Sequence, residues 1–200
     1  MNLWVFRLAI ALSAFLLFLV QPLIARFILP WFGGGPTVWT GCMLFFQVAL
    51  LAGYAYSHVM IRWLGPRRVA QIHGAWLVMS LCFLPLIPSD YWQPTTGTAP
   101  VSGILLVLAM TVGLPYFILS TSGPLIQSWF VQVFPERSPY RLFALSNFGS
   151  LLGLFAYPFL LEPWLTLSSQ AWGWSILYIL YLLSCAGCLS LVLRSGKSSS

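Results

Sequence analysis

The chain has 200 residues, 60% of them apolar and only 6% charged, with 9 Lys+Arg set against 3 Asp+Glu. A soluble domain carries about 25% charged residues, so this chain cannot clothe itself in a wetted surface, and lipid must replace water over most of it. The same scarcity excludes a disordered or coiled-coil chain, and the 14 Pro and 16 Gly follow no collagen period. Despite the net charge of +6, nine basic residues dispersed along the chain form no nucleic-acid-binding patch.

A transmembrane helix needs about 20 mainly apolar residues, and six stretches qualify: Leu8 to Leu29, Val38 to Ile61, Val69 to Ile87, Val101 to Thr121, Leu142 to Leu161 and Trp172 to Leu193. The first follows a charged n-region but precedes no small-x-small cleavage site, and Gln21-Pro22 leads into further apolar sequence, so it reads as a retained helix rather than a secretory signal. After Gly123-Pro124, residues Leu125, Trp129 and Val133 recur at helical spacing beside Ile126 and Phe130, opposite Gln127, Ser128 and Gln132. This pattern predicts a short amphipathic helix over 125–134 lying in the cytoplasmic interface, cut off from the fourth span by Pro124. The alternative is a fourth helix that runs on and tilts out of the membrane. The fold class expected is therefore an all-α polytopic membrane protein, with residues 1–194 forming one six-helix domain and 195–200 a flexible cytoplasmic tail.

Orientation follows from the cations, since Lys and Arg in short loops stay cytoplasmic. Arg7, Arg62, Arg67, Arg68, Arg137, Arg141, Arg194 and Lys197 all fall on one side of the six spans. The opposite loops hold Asp90, Glu162 and a single cation, Arg26. Both termini are thus expected in the cytoplasm.

Few residues invite chemistry. Pro22 weakens the first helix near its outer end, and Gln21 is placed to bond the carbonyl that the proline leaves free. Arg26 reads either as an anion or headgroup contact at the outer mouth or as a cation snorkelling to the interface, and Gly33–Gly35 as a close-approach or tight-turn element. Glu162 is the natural partner for Arg26, because both fall at the outer surface. His58 and His73 lie at similar depth on adjacent antiparallel helices, which admits a haem, pigment or metal ligand pair, and Cys185 with Cys188 share a face of the last helix. Interfacial histidines and packed thiols are the commoner roles, and neither a cofactor nor a metal is expected. In helix five, Gly149 and Gly153 form a small-xxx-small face for close helix approach, with Ser146 alongside and Asn147 positioned to hydrogen-bond across the contact. The 10 Trp and 8 Tyr read mostly as interface anchors. No nucleophile, base and orienter fall in a recognisable arrangement, so enzymatic chemistry is not expected.

The string from Gln21 to His58 (QPLIARFILPWFGGGPTVWTGCMLFFQVALLAGYAYSH) resembles the start of the integral-membrane domain in bacterial proteins described as fused MFS/spermidine synthase-like, and Ala144 to Pro163 (ALSNFGSLLGLFAYPFLLEP) resembles that family's fifth-helix signature. The resemblance implies an MFS-like half bundle in a bacterial inner membrane. It also implies a following synthase-like domain, for which these 200 residues hold no strand and Gly-rich cofactor loop. Synthase activity is accordingly not expected, and Gln21, Arg26, Trp39, Ser146, Asn147 and Glu162 carry over only as family-like positions.

Two functions remain. One is a non-catalytic subunit that scaffolds a larger membrane assembly or anchors a separately encoded enzyme, with other membrane subunits as partners. The other is a transporter in which two copies enclose a midplane site. All three acids are assigned outside the spans, so a cation would find no buried counter-charge; neutral or anionic cargo could meet Gln21, Arg26, Gln47 and Asn147.

Overall fold

The computed structural model describes residues 3–89, 91, 93 and 101–195, which carry the helices and no strand. Helix α1 spans Leu3–Phe32, α2 spans Pro36–Trp63 and α3 spans Pro66–Ser80. Helix α4 is Val101–Val133, α5 is Tyr140–Trp164 and α6 is Leu167–Ser195. The turn between α1 and α2 explains its glycines: Gly33 takes φ +81°, the left-handed conformation that closes a helix, and Gly35 precedes Pro36 at the first position of the next. Gly65-Pro66 starts α3 in the same way.

Five of these helices are long and apolar enough to cross a membrane. The third stretch differs from the sequence expectation of a helix reaching Ile87. Helix α3 has 15 residues, a rise of about 22 Å, and gives way to a 3₁₀ turn over Leu81–Phe83 and then extended chain. Pro85 accounts for this, because its ring and missing N–H prevent the helix from continuing and disfavour helical geometry at Leu84. The extended segment is still tied to the bundle, with Leu86 fully buried and its N–H directed at Ser175 Oγ at 3.4 Å.

The separate interfacial helix over 125–134 is also corrected: the chain continues through Pro124 as part of α4. The amphipathic face was real, but its apolar side meets protein rather than headgroups. Leu125, Ile126, Trp129 and Phe130 are buried, and Phe130 packs edge-on against Phe6 of α1 at 5.6 Å. Just before the proline, the hydroxyls of Ser120, Thr121 and Ser122 donate to carbonyls of the preceding turn at 2.6, 2.7 and 3.0 Å. Such bonds help a buried helix tolerate a proline. Pro158 is accommodated differently, within a single wider π turn over Tyr157–Leu161 of α5.

Helices α1 and α4 form the centre and touch each other, while α5 lies along α1, α2 lies along α4, and α6 packs on α1, α3 and α4. Chain halves α1–α3 and α4–α6 thereby exchange roles, each first helix taking as its main neighbour the second helix of the other half. Helices α2 and α5 are left with the least buried spans.

Candidate functional site

At the end of the bundle holding the α1–α2 turn, Arg26 Nη1 lies 3.0 Å from Glu162 Oε1, both side chains half exposed. The anticipated pair therefore forms, and among the described residues it is the one ion pair present. The Tyr157 hydroxyl is buried beside this pair, within reach of the Arg26 guanidinium and of the Glu162 charge. Gly34 and Gly35 have open space where a side chain would be, so the glycine triplet serves its turn rather than a close approach. Trp39 is exposed on α2 near this turn.

Close approach occurs instead along α5. A Cβ added at Gly149 would stand 2.7 Å from the Ala11 carbonyl oxygen, and one at Gly153 would stand 2.6 Å from that of Phe15. The small-xxx-small face is thus pressed on the α1 backbone, as the spacing implied. Ser146 and Ser150 border it, with Ser150 Oγ returning to the Ser146 carbonyl at 3.1 Å. Asn147 departs from expectation: it is exposed and makes no bond across this contact, because the α5 face that meets α1 turns residue 147 outward.

A second seam escaped the sequence reading. Ala49, Gly53 and Ser57 form a small-xxx-small-xxx-small stripe on α2, with Gly53 against Ser120 of α4. Ser57 Oγ bonds the Gly53 carbonyl at 2.8 Å and reaches the Thr121 carbonyl at 3.3 Å. The third polar seam belongs to α6. Trp174 Nε1 donates to the Leu16 carbonyl at 3.1 Å, the Tyr178 hydroxyl donates to Ser80 Oγ at 2.9 Å, and the Tyr181 and Ser122 hydroxyls share a bond of 2.6 Å. These aromatics, together with Trp129 and Tyr116, are buried core residues, not interface anchors. Each has its polar atom satisfied across helices or its ring packed against a neighbour, as burial in a low-dielectric interior requires.

Gln21 bonds a backbone carbonyl, but that of Leu17 at 3.3 Å, whereas Pro22 frees the carbonyl of Phe18; its Nε2 also reaches the Tyr116 hydroxyl at 3.3 Å. The histidines are not brought together as a facing pair. His58 is exposed on α2, while His73 is buried between Tyr56 and Trp129, ring centroids 6.4 and 5.7 Å away, with neither nitrogen bonded. Cys185 and Cys188 are both buried in α6, and no cluster of three metal-ligating side chains occurs among the described residues.

The remaining polar groups stand where a lipid-facing helix should have none. Gln47 lies near the middle of α2 and Asn147 two turns into α5; both are exposed and neither makes a side-chain hydrogen bond. Around them the two helices present Leu44, Val48, Leu51, Phe148, Leu151 and Phe155. Asp90 and Lys197, which figured in the charge count, lie outside the described residues. No family model, curated protein or solved structure matches the chain.

Proposed function

We propose that the chain is a non-catalytic multi-pass membrane subunit that scaffolds a larger membrane assembly or anchors a separately encoded partner, docking through the outer faces of α2 and α5. The observation that carries this reading is the pair of unbonded amides, Gln47 and Asn147, on the two least buried spans. An amide facing hydrocarbon forfeits hydrogen bonds worth several kcal/mol in an apolar medium, so these faces are better matched to protein than to lipid. The resemblance to the membrane domain of MFS/spermidine synthase-like proteins supports the same picture of a helical module working beside a partner. Extraction in mild detergent and mass determination of the intact complex test it: the expected result is a defined complex containing stoichiometric partner chains. A chain that stays monomeric in both detergent and native lipid discs contradicts it.

A second reading is a dimeric, MFS-like transporter of a neutral or anionic solute. It is favoured by the exchanged packing of α1–α3 and α4–α6, the kind of internal repeat on which many transporters are built. Here the covering partner is a second copy, and a lone homodimer that carries solute into liposomes selects this reading over the first.

A further inference from the structure

The arginine-rich end of the bundle contains a built cavity that neither reading uses. It lies where α1 begins, α4 ends and α5 begins, has a volume of about 410 Å³, and brings together Arg7, Arg137 and Arg141. Arg137 and Arg141 are near in sequence, and the fold brings the distant Arg7 to them. No carboxylate pairs with them: Glu136 is exposed in the same loop without an ion pair, and the pair found among the described residues is at the opposite end. Two of the guanidinium groups are braced by aromatic rings, Arg7 over Trp4 at 5.2 Å and Arg137 over Phe134 at 5.9 Å, which limits their freedom before any ligand arrives. The positive end of the α5 dipole opens on the same space, with Ser138 at the rim, its Oγ accepting from the Tyr140 N–H of the first turn at 3.3 Å. The floor is of opposite character, formed by the buried side chains of Phe130 and Leu142.

Three uncompensated cations over an apolar floor, at the level where a spanning bundle meets the headgroups, match an amphiphilic anion. We propose that this cavity binds a phosphodiester, supplied as the headgroup of an anionic phospholipid, with the phosphate among Arg7, Arg137 and Arg141 and the first acyl carbons against Phe130 and Leu142. The guanidinium forks suit phosphate oxygens, and basic pockets between helices are a recurrent form of headgroup recognition. The apolar floor distinguishes the site from a simple cationic rim. A neighbouring cavity carrying Arg67 and Arg68 beside Gln132 supplies an internal comparison of similar charge.

The test uses the purified full chain and native mass spectrometry with short-chain phosphatidylglycerol, short-chain phosphatidylcholine and inorganic phosphate as separate probes. Phosphatidylglycerol is expected to bind at least tenfold more tightly than phosphatidylcholine. The exposed pair Arg137→Gln and Arg141→Gln is expected to abolish that preference, whereas Arg67→Gln with Arg68→Gln leaves it within twofold. Equal binding of the two lipids, or equal losses from the two arginine pairs, overturns the proposal as mere surface charge. Inorganic phosphate displacing the lipid at comparable concentration overturns the lipid assignment and gives the site to a free anion. Thermal unfolding of each variant in the same detergent separates loss of binding from loss of fold.

Discussion

Replacing Gly153 by alanine tests the packing account at its tightest point. The added Cβ would stand 2.6 Å from the Phe15 carbonyl oxygen. A carbon in contact with such an oxygen normally sits at about 3.3–3.6 Å, so α5 must retreat from α1 by roughly 0.7 Å or distort locally. Nothing soft yields in its place, because the obstacle is backbone and not the end of a flexible side chain. Overpacking of this kind costs about 1–3 kcal/mol, opposed by at most about 1 kcal/mol gained in helix propensity when glycine becomes alanine. Gly149→Ala meets the Ala11 carbonyl at 2.7 Å and should behave alike. Gly173, on α6, has open space around it, so Gly173→Ala isolates the propensity term. Thermal unfolding in detergent is the assay, with Gly153→Ala and Gly149→Ala melting several degrees below wild type and Gly173→Ala at or above it. Equal melting temperatures for Gly153→Ala and Gly173→Ala would refute the claim that α5 rests on the α1 backbone.

Three further outcomes are expected. In a double-mutant cycle, Ser122→Ala and Tyr181→Phe should couple by about 0.6 kcal/mol, the average for interhelical bonds in membranes, and by no more than about 1.7 kcal/mol; strictly additive effects would mean that their 2.6 Å bond contributes nothing. Arg26→Glu or Glu162→Arg alone should cost less than about 1 kcal/mol because the pair is half exposed, and the combined swap should recover most of that loss; a double variant worse than either single one contradicts the pairing. Of the four cysteines, Cys82 alone is exposed while Cys42, Cys185 and Cys188 are buried, so a maleimide should label one thiol quickly in native detergent solution and the others only after denaturation. Fast labelling of a second native thiol would contradict the burial of whichever of Cys42, Cys185 or Cys188 reacts.

The apolar runs announced the helices because a spanning segment is long and nearly uncharged, and Gly149 with Gly153 announced their contact because only small residues at that spacing let backbones meet. The rotation of the other helices was harder to read. In a chain apolar on every face, hydrophobicity no longer marks the inside, which is why the spacing points Asn147 to a contact it does not make and why composition does not separate the buried Tyr178 and Tyr181 from aromatics at the membrane interface. The stripe of Ala49, Gly53 and Ser57 was a legible signal left unused. Pro124 misled for a different reason: a proline breaks a helix unless tertiary burial holds the flanking turns in line, and the burial of Trp129 and Phe130 belongs to the fold, not to the local sequence. The Arg26–Glu162 pair was legible from topology, since Arg26 is the lone cation placed at that end of the bundle and Asp90 and Glu162 are the two acids placed there with it. The gathering of Arg7 with Arg137 and Arg141 depended on which helices became neighbours, and no spacing along the chain encoded it.

Photo-crosslinking in intact membranes tests most directly whether protein covers the outer faces of α2 and α5. A photoreactive residue placed at Gln47 or at Asn147 should yield one protein adduct of defined mass, the same from both positions. Placed at Leu183, which is 66% exposed on α6, it should yield lipid adducts. Lipid adducts alone from positions 47 and 147 would show those amides facing the bilayer and would contradict the account.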